Sequence, residues 1–465
     1  MIPQSVVEQL RRIAGKENVF TEPEDLTCYS YDSTHLSALP DVVVTPLTTA
    51  EISEIVKLAN AELIPVIPRG GGTCLSGGTV PIKGGIILAL HRMNKILEID
   101  SNNLTATAQP GVITATFHQA VEKEGLFYPP DPQSMFMSTL GGNVAENAGG
   151  PRGVKYGVTK DYVLGLEVVT PTGTILRVGG KTIKNVSGYD LMRLFTGSEG
   201  TLGVITEITV RLVPLPEAKR TLLAMFNTLD DAAEAVSSII RHRIIPTTLE
   251  LMDHKIMELI ESYKPVGFPM DVEGAILIEV DGSENEVNKQ ITKVADICAE
   301  CRSREVKVAQ TLEEANGLWA GRRSAFGALC ANSRTVFVED ATVPRSKVPD
   351  IVKRIQEIAK KYDLNIPILG HTGDGNMHPN ILTDERNEEE MKRVNAAIDE
   401  MFEAALALGG TLSGEHGIGL IKQKYMPWQF GEEGLVLMRS IKKAVDPNNI
   451  LNPGKMALMD EGDKK

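Results

Sequence analysis

Two glycine-framed runs near the C-terminus hold residue types suited to metal and acid–base chemistry. The first, His371-Thr372-Gly373-Asp374-Gly375-Asn376-Met377-His378, sets an imidazole on each side of Gly-Asp-Gly-Asn. Strand-like residues 366–369 precede it and 379–382 follow it, so the pattern predicts a hairpin with that tetrapeptide as its turn. Closed over the turn, the two histidines face each other across the strand ends, where their rings can grip one ion. The second run, Ser413-Gly414-Glu415-His416-Gly417-Ile418-Gly419, adds a carboxylate and a third imidazole on one loop. The chain has 8 histidines, and three of them in two such motifs outweigh the usual structural role of a lone histidine. Two imidazoles and a carboxylate suit Zn²⁺, Fe²⁺ or Mn²⁺. Such a set can activate water for hydrolysis or an alcohol for oxidation.

A second kind of chemistry is written in glycine. Pro68-Arg69-Gly70-Gly71-Gly72-Thr73-Cys74-Leu75-Ser76-Gly77-Gly78 follows the strand-like residues 64–67. It reads as a strand-to-loop anion nest in which consecutive amides point at a pyrophosphate and Thr73 and Ser76 add hydroxyls. It is not the dinucleotide fingerprint of a doubly wound sheet, because no helix opens directly from it and no acidic residue follows at the ribose spacing. A second block, Ser138-Thr139-Leu140-Gly141-Gly142-Asn143-Val144-Ala145-Glu146-Asn147-Ala148-Gly149-Gly150, again mixes glycine with small polar side chains and reads as a matching loop. A third holds Gly197, Gly200 and Gly203.

Positioning these motifs requires a large scaffold. At 465 residues and roughly 150 per domain, about three domains are expected. Residues 1–215 alternate short β-rich runs, such as 41–44, with amphipathic stretches, such as the stripe Ile52, Ile55, Val56 and Ala59, and read as an α+β domain. From 220 to 310 the rhythm predicts a strand over 221–226, a helix over 230–241, strands over 247–252 and 274–280, a helix over 284–298 and a strand over 305–308. That order is ferredoxin-like β-α-β-β-α-β with a short helix in its middle. A long helix from 311 through Trp319 and Leu329, a strand over 335–338 and a helix over 348–362 follow, and the likeliest boundary is Leu212 to Pro216. The organisation expected is therefore 1–215, a cap over 216–420, and a segment over 421–465 that returns to the first domain and ends in the polar tail 460–465.

Composition narrows the function classes. The net charge of −13 repels phosphate backbones and anionic lipids, which excludes nucleic acid and a polybasic membrane contact. No apolar run approaches the ~18 residues of a membrane span and the start lacks signal-peptide character, so a cytoplasmic location without a transmembrane segment is expected. Cys28, Cys74, Cys298, Cys301 and Cys330 form neither a disulfide framework nor a cluster-binding set. Redox chemistry would need another cofactor.

Taken together, the 69–78 loop, the 138–150 block, the two histidine motifs and the closing Leu451-Asn452-Pro453-Gly454-Lys455 resemble the FAD-linked D-2-hydroxyacid dehydrogenases. That family groups D-lactate dehydrogenases, glycolate oxidase large subunits and D-2-hydroxyglutarate dehydrogenases in the vanillyl-alcohol-oxidase fold, and the likeness spans nearly the whole chain. It implies an FAD-binding domain with a ferredoxin-like cap. Arg69, Gly70, Gly71, Gly72, Thr73, Ser76, Gly77, Ser138, Gly142, Asn143 and Gly149 would hold FAD, with Asn452 and Lys455 from the C-terminal end. His371, His378 and Glu415 would ligate a divalent metal, His416 would be the catalytic base, Arg322 the carboxylate clamp, and Asn380 a further substrate contact. Some relatives attach FAD to a histidine of the first glycine loop; Arg-Gly-Gly-Gly-Thr stands there in this chain, so the flavin is expected to be non-covalent. Val338 occupies the place where 2-hydroxyglutarate members carry a lysine, which favours a short substrate, D-lactate first. Electrons would pass to a partner protein, an electron-transferring flavoprotein or an iron–sulfur subunit. Two other readings are a zinc hydrolase and a flavin carrier without catalysis.

Overall fold

The computed structural model describes residues 2–458; the polar tail at 460–465 lies outside them. The chain forms two compact units: Met1–Gly149, Val158–Leu215 and Glu415–Lys465 make one, and Gly150–Gly157 with Pro216–Gly414 the other. The C-terminal segment, from Glu415, belongs to the first unit.

The first unit holds two larger sheets and a two-stranded ribbon that pairs Leu126–Phe127 with Val213–Pro214. Strands β1 (Val19–Phe20), β2 (Val42–Val44), β3 (Val66–Arg69) and β4 (Ile86–Ala89) lie in the order β1-β2-β4-β3, with β2, β4 and β3 mutually parallel. Parallel strands need a crossover. Helix α1 (Thr49–Ala61) supplies it, capped by Thr48 Oγ1, which accepts from Glu51 N at 3.2 Å, and burying the expected stripe Ile52, Ile55, Val56 and Ala59. The second sheet is antiparallel: β5 (Ile96–Asp100), β6 (Thr105–Ala108), β7 (Val163–Val169), β8 (Ile175–Gly179) and β9 (Val204–Arg211), ordered β5-β6-β9-β7-β8. The second glycine block departs from its expected loop, since Leu140–Glu146 is a helix, α2. Thr139 caps it by accepting from Gly142 N, and Leu140 N and Gly141 N donate to Val112 O and Pro110 O. These bonds offset the poor helix propensity of two glycines.

The second unit opens with β10 (Ala218–Phe226), α3 (Leu229–Arg241), β11 (Thr248–Asp253), α4 (His254–Tyr263), β12 (Gly274–Gly282), α5 (Glu284–Glu300) and β13 (Ser303–Val308). The antiparallel order β13-β10-β12-β11 is ferredoxin-like. The chain continues through α6 (Leu312–Asn332), β14 (Thr335–Val338), β15 (Ala341–Thr342), α7 (Val348–Tyr362), β16 (Ile368–His371), β17 (Asn376–Thr383) and α8 (Glu388–Ala407). The hairpin β16–β17 adds to the open edge of β11, and β14 and β15 both pair with β17, giving one eight-stranded sheet. An apolar core of Leu223, Met252, Ile256, Leu277, Ala325 and Leu369 packs β10, β11, β12 and β16 with α4 and α6. Among the described residues no helix is long and apolar enough to cross a membrane.

Candidate active site

In the second unit the hairpin forms as its turn residues predict, with one change. His371 pairs with Asn376 and His378 with Leu369, so the histidines stand diagonally on one face of the sheet instead of directly opposite. Their ring centroids are 5.1 Å apart at 85°. Gly375 lies at φ +90°, and a Cβ there would run into the Val343 carbonyl. That turn position is therefore restricted to glycine.

Each imidazole is oriented by a second group. His371 Nδ1 lies 2.7 Å from Glu250 Oε1, and Glu250 is the residue of β11 paired with His371. Burial alone would raise the Glu250 carboxyl, but His371 and Arg322 beside it outweigh burial and hold it below its usual range. An ionised carboxylate only accepts, so Nδ1 carries the proton and Nε2 is the ring atom left to ligate. His378 Nδ1 is 3.1 Å from Glu339 O, which directs its Nε2 in the same way. Glu415 follows Gly414, whose N–H donates to Asp340 Oδ2 at 2.9 Å while Ser413 Oγ donates to the same oxygen at 2.5 Å. One ligand atom from each of His371, His378 and Glu415 lies within 4.8 Å of the other two, a donor set that fits a divalent cation.

Arg322, on α6, is 2% exposed. Its Nε donates to Glu250 Oε2 at 2.9 Å and its Nη2 lies 2.8 Å from the same atom. One edge of the expected carboxylate clamp is thus committed to Glu250. Asn380 is buried on the His378 face, and its Nδ2 donates to His378 O at 2.7 Å and to Pro367 O at 3.3 Å. Glu250 was not singled out from sequence. The available signal was a lone acid inside the apolar run Leu249-Glu250-Leu251-Met252, in a strand that is buried along its whole length.

In the first unit, β3 runs into the first glycine loop as expected. The amides of Gly71, Gly72 and Thr73 have no acceptor among the described residues, which leaves a nest able to receive phosphate oxygens. A Cβ on Gly70 would strike Thr139 Oγ1 and one on Gly71 the Met137 carbonyl, so the loop presses against the start of α2. The expected cofactor residues divide by what their side chains do. Arg69 Nη1 donates to Tyr31 O at 2.7 Å and to Thr79 Oγ1 at 3.0 Å, so this guanidinium braces the loop. Ser138 Oγ, Thr114 Oγ1 and Asn143 Nδ2 bond one another at 3.0 and 2.8 Å, and they support α2 from behind. Gly142 lies against Gly70, and Gly149 leaves room for Glu415, whose Oε2 would be 2.6 Å from a Cβ there.

Ser76 and Gly77 meet the C-terminal segment: Leu420 N donates to Ser76 O at 2.8 Å, and a Cβ on Gly77 would touch Leu420. Asn452 Nδ2 donates to Gly78 O and Glu199 O at 2.8 and 2.7 Å, and Lys455 Nζ to Val80 O at 2.5 Å. Burial lowers the Lys455 ammonium to about 8 against the pull of Asp32 and Glu199. Asn452 and Lys455 therefore lock the loop shut from the C-terminal side. His416 lies one residue beyond Glu415 in a half-buried turn.

The family described as "FAD linked oxidases, C-terminal domain" matches residues 215–456, and "FAD binding domain" matches 40–179. The chain is 51% identical over 461 residues to "Glycolate oxidase subunit GlcD" of Bacillus subtilis (strain 168), covering 99% of this chain and 98% of the relative. It is 36% identical to "D-lactate dehydrogenase" of Anaerostipes hadrus, covering 98% of each. Among solved structures, p-cresol methylhydroxylase with substrate bound superposes with a TM-score of 0.82 at 19% identity, over 99% of this chain and 98% of that one, which places the fold in the vanillyl-alcohol-oxidase group. With its FAD-binding and C-terminal regions both matched, and near full-length relatives named as a glycolate oxidase subunit and a D-lactate dehydrogenase, this chain belongs to the FAD linked oxidases.

Proposed function

We propose that this protein oxidises a short 2-hydroxy acid to the 2-oxo acid with non-covalent FAD and one divalent cation, and passes the electrons to a partner protein. Glycolate stands first as substrate, on the name of the 51%-identical relative. D-lactate, first by sequence resemblance, stands second on the name of the 36%-identical one. Val338, where a lysine would suit a second carboxylate, favours both over a longer diacid. The observation that carries the reading is the orientation of His371 by Glu250 and of His378 by the Glu339 carbonyl, with Glu415 within reach of both.

FAD held by the first unit's glycine loop would supply a hydride acceptor, and a divalent cation held by His371, His378 and Glu415 would supply positive charge for the substrate hydroxyl oxygen. The residues of the chain do the remaining work. Glu250 fixes the tautomer and ring plane of His371, and so the direction of its Nε2. Arg322, held in place by the same carboxylate, supplies the positive charge that orients the substrate carboxylate. Asn380, with its amide nitrogen committed to backbone carbonyls, presents Oδ1 to the substrate. His416 takes the hydroxyl proton, a task suited to an imidazole near neutral pH and worth ~10²–10⁴ in rate.

The relative named as a subunit supports a partner as electron acceptor, an iron–sulfur subunit or an electron-transferring flavoprotein, and the location proposed is the cytoplasm. The test is anaerobic mixing of the flavin-loaded protein with glycolate, D-lactate and D-2-hydroxyglutarate in turn. Bleaching by either short acid is expected, and a flavin that none of the three reduces would end this reading.

A further inference from the structure

The turn that carries His416 is held from outside its own motif. Glu199, in the third glycine block, accepts from Ile418 N through Oε1 and from Gly419 N through Oε2, each at 2.7 Å. These are the second and third residues after His416. Glu199 is 5% exposed and sits at φ +51°, a left-handed conformation that costs a non-glycine residue free energy and persists only where its surroundings enforce it. Its own N–H donates to Ala145 O at 2.8 Å, and its carbonyl accepts from Asn452 at 2.7 Å. The far side of the turn is pinned as well, since Leu420 N and Ile421 N both donate to Ser76 O. Gly417, at φ +83°, has no room for a Cβ because Glu146 Oε2, buried without a hydrogen-bond partner, occupies that space. A carboxylate that spends both oxygens on adjacent amides fixes the turn's path more tightly than loop sequence alone would, and loop backbones are otherwise free to shift.

We infer that Glu199 is a positioning residue for the reaction, acting through the placement of His416; the inference rests on the reading of His416 as the base. Misplacing a reacting group by about 1 Å costs on the order of 10²-fold in rate. Glu199→Gln keeps the volume but offers one acceptor for two amides. It is expected to slow flavin reduction by glycolate or D-lactate ~10–100-fold, with flavin content and KM close to the unaltered protein.

The deciding experiment is a double-mutant cycle on the anaerobic flavin-reduction rate, comparing the unaltered protein, Glu199→Gln, His416→Asn and the double variant. If Glu199 acts through His416, its effect disappears in the His416→Asn background. Full additivity, or an unimpaired Glu199→Gln beside a slow His416→Asn, overturns the Glu199 inference and leaves the base assignment standing. An unimpaired His416→Asn overturns the base assignment itself. Should Glu199→Gln fail to retain flavin, Glu199→Asp, which keeps the charge and withdraws it by one methylene, enters the same cycle; loss of flavin in both variants makes the role purely structural and refutes the inference.

Discussion

Replacing Glu250 by glutamine isolates the link between the metal ligands and the substrate-orienting arginine. The side chain is 0% exposed and accepts from His371 Nδ1 at 2.7 Å and from Arg322 Nε at 2.9 Å. Glutamine has nearly the same shape but one acceptor oxygen, so it can serve His371 or Arg322 and not both. It also removes the counter-charge of a guanidinium that is 2% exposed. Breaking a buried pair from one side costs about 3–5 kcal/mol. Loss of a carboxylate that orients a ligating histidine lowers metal affinity ~10–100-fold, or about 1.4–2.7 kcal/mol. Two measurements separate these costs. Urea unfolding of the metal-free variant reads the first, and competition for Zn²⁺ or Mn²⁺ against a chelator of known affinity reads the second. A variant that loses less than about 1 kcal/mol and binds the ion as the unaltered protein does would refute the account of Glu250 as the hub of this site.

Chelator treatment should abolish flavin reduction by glycolate or D-lactate, with recovery on adding a divalent ion; a metal-free preparation that still turns over would contradict the triad. Gly71→Ala, whose methyl would meet the Met137 carbonyl, should cost about 1–3 kcal/mol of fit and show as lowered flavin content after purification; a fully loaded variant would speak against the cradle. Asp253 accepts from Ile256 N and Ile368 N, and burial outweighs both bonds to raise its carboxyl to about 6. Above that pH it is ionised both folded and unfolded and the cost of burying the charge is fully felt. Between about 6 and the unfolded value near 4, the folded state alone holds the proton, so this group adds stability as the pH falls, on the order of 3 kcal/mol across the range. The stability advantage of the unaltered protein over Asp253→Asn should therefore be larger at pH 5 than at pH 7.5 in urea unfolding, and a gap independent of pH would show that Asp253 does not titrate there.

Much of the architecture is written locally. The ferredoxin-like run from Ala218 to Val308 was legible because period-2 and period-3.6 patterns alternate with strong caps, as where Thr228 accepts from Asp231 N and Asp253 from Ile256 N. The histidine hairpin was legible because Gly-Asp-Gly-Asn can close a turn unaided. The helix Leu140–Glu146 was misread as a loop because the bonds that hold its first turn come from Val112 and Pro110, outside its own sequence.

The amino-acid string by itself determined which residue types the site contains, since imidazole, carboxylate and glycine runs keep their chemistry wherever the chain puts them. Only tertiary structure decided their company. Glu250 reaches His371 across 121 residues because the hairpin adds to the edge of β11, and Glu199 reaches Ile418 across 219 because the C-terminal segment folds back onto the first unit. Such pairings are chosen by the burial of whole sheets and segments, a free energy summed over many side chains, and no window of neighbouring residues contains that sum.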